Sequence, residues 1–351
     1  MPTDVPSPLG APAIRLTELT DCGGCAAKLG ADLLADALSG LGAMTASADL
    51  IAGLNPPDDA AVYRISDELA IVGTLDFFPP LVDDAGLFGE IAAANALSDV
   101  FAMGGRVLFA LSIAAFPEDL PRDTLAAIFE GASAKVREAG GTLAGGHTTK
   151  DPEIGAVHPD RLFRKGGAQP GDVLVLTKPL GTGLLVSGRR QGRTTDAQLD
   201  TATAQMAALN RAASEVFAAH GIRGATDITG FGLLGHGLEM AQASGASLVF
   251  EAAALPALDG ALDLARAGVE TGGAAHNRRH VLPHLAVSEG VPEELVTLAH
   301  DPQTSGGLLA AVAPASLAGL EAALDGRGVT HWRIGRVEDR AGGHPSVALT
   351  T

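Results

Sequence analysis

Cysteine is nearly missing from this chain of 351 residues: two thiols, Cys22 and Cys25, cannot staple a protein of this length, so packing must hold the fold. Aromatic residues are scarce at 4%, with one tryptophan and one tyrosine, which leaves Leu, Val, Ile and Ala to fill the interior. No uninterrupted apolar run is long enough to span a bilayer, so no membrane is expected. No lysine- or arginine-rich tract interrupts a formal net charge of −17, which removes the usual footprint of nucleic acid or an anionic surface. Such a field repels anions, and any bound phosphate must be held locally by a metal ion, a lysine or backbone N–H groups. Residues 1–14 are rich in proline and small side chains, without a basic start or an apolar stretch. They read as a flexible tail and not as a signal peptide, and the cytoplasm is the expected compartment.

What the chain does have is length and apolar content, 46% hydrophobic residues with 45 glycines, and this predicts two domains of ordinary size. The run Leu69 to Leu75 ends in Asp76 and reads as a strand buried on both faces. A helix over Phe88–Met103 stops at Gly104 Gly105, followed by a strand (Val107–Ala115), a helix (Thr124–Ala139) and a strand (Thr142–Ala144) entering Gly145 Gly146 His147. Alternating strands and helices give a mixed α/β class. Breakers concentrate in Arg164 Lys165 Gly166 Gly167 Ala168 Gln169 Pro170 Gly171, which sets the boundary between a first domain over 15–165 and a second over 170–351. The second is expected to carry a strand over Asp172–Thr177, one helix from about Asp200 to Ala219, a helix over Leu233–Ala243, strands at Ser247–Glu251 and Leu308–Val312, then a helix and a last strand near Val329–Ile334.

The chemistry gathers on aspartates at the ends of apolar elements: Asp58 with Asp59, Asp76, Asp99 and Asp227. Magnesium takes hard oxygen ligands and keeps several waters, so separated carboxylates that bridge to substrate phosphates suit phosphoryl transfer. Asn95 and Asp99, four apart on an otherwise apolar helix, form a polar stripe; buried, it needs a metal or a hydrogen-bond network, whereas on a surface helix it would simply face water. Asp58 and Asp59 follow Asn55 Pro56 Pro57, so turn chemistry competes with a place at the rim of the strand that follows. Asp227 lies among Thr226, Thr229 and Gly230, where an Asx-turn or helix cap is as good a reading as a ligand. The glycine-flanked segments Gly145–Thr148 and Gln303–Gly307 offer N–H groups to phosphate, yet neither has the spacing of a Walker loop or a GxGxxG fingerprint. In the amino-terminal segment, Cys25 precedes Lys28 by three residues, pairing a soft nucleophile with a cation that lowers its pKa or grips phosphate. With Cys22 it also makes a CxxC; a single reactive thiol ranks first, a redox pair second and half a zinc site third.

Taken together these segments resemble the selenophosphate synthetases (selenide, water dikinases), over roughly Arg15 to Val347. The resemblance rests on Gly24 Cys25 Ala26 Ala27 Lys28, Asp58 Asp59 Ala60 Ala61 Val62, Asp76 Phe77 Phe78, the stretch from Asn95 to Gly105, Ala144 Gly145 Gly146 His147, Leu176 Thr177 Lys178 Pro179 Leu180 Gly181, the stretch from Thr226 to His236, and Asp301 Pro302 Gln303 Thr304 Ser305 Gly306 Gly307. It implies the two-domain α/β fold of aminoimidazole ribonucleotide synthetase, with amino-terminal sheets paired across a homodimer. It also implies conversion of ATP, selenide and water to selenophosphate, AMP and orthophosphate, with a selenium-delivery protein as a candidate partner. Within a catalytic loop over 20–30, Cys25 would handle selenium and Lys28 would contact the ATP phosphates. Asp59, Asp99 and Asp227 would hold Mg2+, and Asp58, Asp76, Asp99, Gly146, His147 and Thr148 would line the nucleotide pocket.

Two departures from the family pattern stand out. Many members carry a cysteine where this chain has Ala27, while Cys22 lies upstream, either as a resolving thiol or as a small loop residue. The segment between Glu153 and His158 is shorter than the family's by roughly one strand's length, leaving Ile154 Gly155 Ala156 Val157. That shortening predicts an exposed sheet edge or a shifted register, with consequences for dimerisation. The alternatives are another ATP-dependent small-molecule kinase of the same fold, which would not need Cys25, a nucleotide-binding paralogue without turnover, and a redox protein built on Cys22 and Cys25.

Overall fold

The computed structural model describes residues 15–19, 47–54, 57–113, 120–147, 153–157, 162–340 and 346–351. A first sheet is built from β1 (Leu50–Leu54), β2 (Pro57–Arg64), β3 (Ala70–Thr74), β4 (Arg106–Ile113), β5 (Thr142–His147) and β6 (Glu153–Val157), in the order β1-β2-β3-β6-β4-β5. The short run Ile154 to Val157 is thus itself a strand. It pairs antiparallel with β3 on one side and β4 on the other, so the expected bare edge is instead an interior position. Strand β3 alternates: Ala70, Val72 and Thr74 point inward, while Ile71 is 36% exposed.

Helices α1 (Ala85–Ala102) and α2 (Arg122–Glu138) pack together, and Val62, Val72, Leu97, Val100, Phe101, Val107 and Val136 form the core beneath this sheet. The two helices approach very closely: a Cβ on Gly89 would lie 2.0 Å from the Ile128 carbonyl, and one on Gly131 2.0 Å from that of Gly86. Helix α1 begins where the Asp84 carboxylate accepts from Leu87 N, and it is buried almost all round, as expected of a helix enclosed on several sides. Its carboxyl end meets the second domain: Ser214 Oγ donates to the Phe101 carbonyl at 2.7 Å.

The second sheet contains β7 (Val173–Leu176), β8 (Gly224–Asp227), β9 (Ala246–Glu251), β10 (Leu285–Val287), β11 (Leu308–Val312), β12 (Trp332–Asp339) and β13 (Val347–Thr350), ordered β10-β13-β9-β12-β7-β11-β8. Around it lie α3 (Thr182–Arg190), α4 (Asp196–Ala207), α5 (Arg211–Ala219), α6 (Gly232–Ser244), α7 (Ala261–Arg266), α8 (Ala274–Val281), α9 (Glu293–His300) and α10 (Pro314–Gly326). The single helix expected from Asp200 to Ala219 is two, because Ala208 turns to extended backbone and Asn210 turns its amide to Ser98 Oγ (2.9 Å) and the Gly306 carbonyl (2.8 Å). The last expected strand runs later, as β12, and β13 follows it, parallel to β9 and β10. No described helix is long and apolar enough to cross a membrane.

Candidate active site between the two sheets

Strand β8 ends on Asp227 in the second domain, and β2 opens on Asp58 and Asp59 in the first. Asp76 lies just past β3, and Asp99 projects from α1. The strand-rim reading of Asp58 and Asp59 therefore holds over the turn reading. Burial first, then the charges of Asp227, Asp76 and Asp59, push the Asp99 carboxyl well above the usual carboxylate range. Burial, and then Asp59, raise Asp58 to about 6. Like charges raise one another's pKa only when close, so the fold gathers these aspartates from four separate segments into one acidic region.

The polar stripe on α1 is buried and fully engaged. Asn95 donates to Asp76 Oδ2 at 2.6 Å and accepts from the backbone N–H of Ser305 at 2.7 Å. Ser98 receives Asn210, and Asp99 accepts from the Thr74 hydroxyl. The Gln303–Gly307 segment is thereby docked onto the same helix face that carries Asp99. Ser305 sits there in a left-handed conformation (φ +49°), which an ordinary side chain adopts at a cost and which its pinned neighbours enforce. Its carbonyl accepts from Lys178 Nζ at 2.7 Å, and Lys178 also donates to the Ala208 carbonyl at 2.7 Å. Burial pulls the Lys178 amine down to about 7 against the pull of Asp227. A neutral amine keeps two N–H donors, enough for two carbonyls.

Asp59 is the best test of whether the region suits a cation. Its Oδ1 accepts from the Thr226 hydroxyl at 2.9 Å and lies 3.0 Å from Lys165 Nζ, whereas Oδ2 is buried with no hydrogen-bond partner among the described residues. A buried, unpaired carboxylate oxygen is costly unless something occupies it, and a hard cation is the natural occupant. Among the described residues no three carboxylates, histidines or cysteines converge as a closed ligand group. An open, partial ligand set is what magnesium takes when waters and phosphate oxygens complete it. The residues present fit the group.

Gly146 and His147 belong to β5, paired in register with Ser112 and Ile113 of β4. Cys22, Cys25, Lys28, Thr148 and the 20–30 loop lie outside the described residues. His276, His280 and His284 fall on or just after α8. Sequence reasoning passed over Lys165, Lys178, Asn210 and the His236–Glu239 pair as site residues. Lys178 did carry a signal, being a charge just beyond the end of apolar strand β7, as Asp76 is beyond β3.

Residues 57–160 match the family model for the AIR synthase related protein, N-terminal domain, and residues 169–347 that for the corresponding C-terminal domain. The chain is 44% identical over 333 residues to a selenide, water dikinase of Myxococcus xanthus, covering 92% of this chain and 94% of that one. It is 44% identical over 337 residues to a selenide, water dikinase of Carboxydothermus hydrogenoformans, covering 94% and 98%. Among solved structures, the hydrogenase maturation protein HypE in complex with ATP aligns with a TM-score of 0.59 at 22% identity, over 85% of this chain and 86% of that one, which shows a shared fold.

Proposed function

Because this chain belongs to the selenide, water dikinase family, with an AIR-synthase-related module in each half, we propose that it makes selenophosphate, AMP and orthophosphate from ATP, selenide and water at the aspartate region. The observation that supports the site assignment is the buried Asp59 Oδ2, which has no hydrogen-bond partner among the described residues, in the same acidic region as Asp99, whose carboxyl is raised by burial and by Asp227, Asp76 and Asp59. In a chain with a net charge of −17, cations held by these carboxylates would offset the repulsion of a triphosphate.

Asp59, Asp99 and Asp227 would hold Mg2+. When bound, magnesium offsets the negative charge of the phosphates and of the transferring group. The chain's own residues do the rest by fixing positions. Asn95 holds the Asp76 carboxylate and the Ser305 peptide together, Thr74 orients Asp99, and Lys178 holds the Ser305 carbonyl. Lys28 is assigned to the ATP phosphates, and Asp58, Asp76, Gly146, His147 and Thr148 to the nucleotide. Cys25 is assigned as the thiolate that presents selenium, a soft element matched to a soft ligand. Selenide accepts the γ-phosphoryl group, and water then cleaves the remaining diphosphate to AMP and orthophosphate.

A homodimer completes the reading. Tyr63, Ile65, Leu69, Ile71, Leu75 and Phe77 are exposed along β2, β3 and their continuations, and Tyr63 and Ile71 are direct cross-strand partners. An apolar sheet face of this kind is the surface a second copy would cover. Selenide reaches the site free or from a delivery protein.

The experiment is selenide-dependent AMP formation under anaerobic, reducing conditions with ATP and magnesium, comparing the native chain with Cys25→Ala. AMP from the native chain and little from the variant is expected. Native protein that forms no AMP overturns the proposal, and full activity in Cys25→Ser favours a kinase of the same fold that has no use for the thiol.

A further inference from the structure

Lys165 stands in the breaker-rich junction between the domains, and its backbone is held there rigidly. Its carbonyl accepts from Ser244 Oγ at 3.0 Å, the same hydroxyl accepts from Ala168 N at 3.1 Å, and a Cβ on Gly167 would lie 2.4 Å from the Arg223 carbonyl. The side chain is buried, 6% exposed, with Nζ 3.0 Å from Asp59 Oδ1 and 3.1 Å from Glu239 Oε2. Glu239 lies 3.3 Å from His236 Nδ1, and His236 Nε2 is 3.2 Å from the Thr229 hydroxyl, so the chain of contacts returns to the turn that follows Asp227.

We propose that Lys165 is a positioning residue for the Asp59 carboxylate: with the Thr226 hydroxyl it ties down Oδ1 and leaves Oδ2 as the oxygen offered to a divalent cation. The inference rests on the reading of Asp59 as a metal ligand. Two donors on one oxygen fix the plane of a carboxylate, and a group tied in this way ligates through the other oxygen alone. A lone buried ammonium beside the site would also repel a cation, and Glu239 cancels that charge at 3.1 Å. Lys165 therefore orients Asp59 without adding net positive charge. Since Asp59 belongs to the first domain, Glu239 and Thr226 to the second and Lys165 to the junction, the arrangement forms only when the domains are docked as seen.

The test is titration of the full chain with Mn2+, followed by electron paramagnetic resonance, in the presence of a non-hydrolysable ATP analogue. The variants are Lys165→Met with Glu239→Gln, which removes both charges and keeps the net charge, Thr226→Val, and Asp59→Asn as reference. Removing such supporting contacts typically weakens metal binding about 10- to 100-fold, and that increase in Kd is expected for the double variant, with a smaller increase for the near-isosteric Thr226→Val. A merely structural role would lower the melting temperature and leave the Mn2+ Kd of the folded protein unchanged. If Asp59→Asn weakens Mn2+ while the double variant and Thr226→Val bind it as the native chain does, or more tightly, the positioning role is refuted and the ligand reading stands. If Asp59→Asn leaves Mn2+ binding unchanged, the ligand reading fails and the positioning role falls with it.

Discussion

Replacing Asn95 by alanine should be a costly change on helix α1 although it leaves every charge in place. The side chain is fully buried and holds two groups at once, Asp76 Oδ2 at 2.6 Å and the Ser305 N–H at 2.7 Å. A hydrogen bond to a carboxylate contributes about 1.5–3 kcal/mol, and stranding a buried backbone N–H costs about 1–3 kcal/mol. Together they predict a loss of about 3–5 kcal/mol, a large share of the roughly 5–15 kcal/mol that natural proteins possess. Urea unfolding monitored by circular dichroism measures the loss. Asn95→Asp separates the two contacts, because a carboxylate still accepts from Ser305 but now faces Asp76 as a like charge. Stability should then fall while selenide-dependent AMP formation falls further, since Asp76 is driven from its place. A loss below about 1 kcal/mol in Asn95→Ala, with AMP formation within about twofold of native, would refute the claim that this amide joins the two domains at the site.

Lys178 has a pKa of about 7 in the fold against 10.5 for the free side chain, so between those values the unfolded chain holds a proton that the folded one has lost, and native stability should rise with pH across that window. Unfolding free energies from urea titrations at pH 7 and pH 10 should differ by a few kcal/mol more in the native chain than in Lys178→Met, and parallel pH dependences would show that the buried amine stays charged. Ile71→Glu, placed on the exposed face opposite Tyr63, should shift sedimentation velocity from dimer to monomer without unfolding the chain; an unchanged coefficient would remove this face as the dimer contact.

Much of the site was legible because it followed short-range pattern. An apolar run ending in a charge located β3 and Asp76, and a polar pair four apart on an apolar helix located Asn95 and Asp99. The partners of those residues were not legible, because each comes from a distant segment: Thr74 for Asp99, Ser305 for Asn95, Lys165 and Thr226 for Asp59. The break at Ala208–Asn210 was missed for the same reason. Alanine-rich sequence on both sides favours helix, and only the tertiary contacts of Asn210 with Ser98 and Gly306 reward the interruption. Strand β6 looked like the remnant of a lost element because the segment is shorter than the family pattern by about one strand's length; its neighbours on both sides make it a strand.

That placement of β6 imposes a schedule on synthesis. Strands β3 and β4 are both made before it and are never joined to each other, so a nascent first domain consists of two open half-sheets, each with a bare edge. Closing them means bringing together segments far apart along the chain, the slow kind of step in folding. The strand that does so directly precedes the junction that delivers Lys165 to Asp59. Asp76 and Asp99 are tied to segments made earlier, through Asn95 and Thr74, whereas Asp59 gains Lys165 only as the junction itself emerges. Until then the growing chain carries these carboxylates on an incomplete sheet, without the lysine that ties down Asp59.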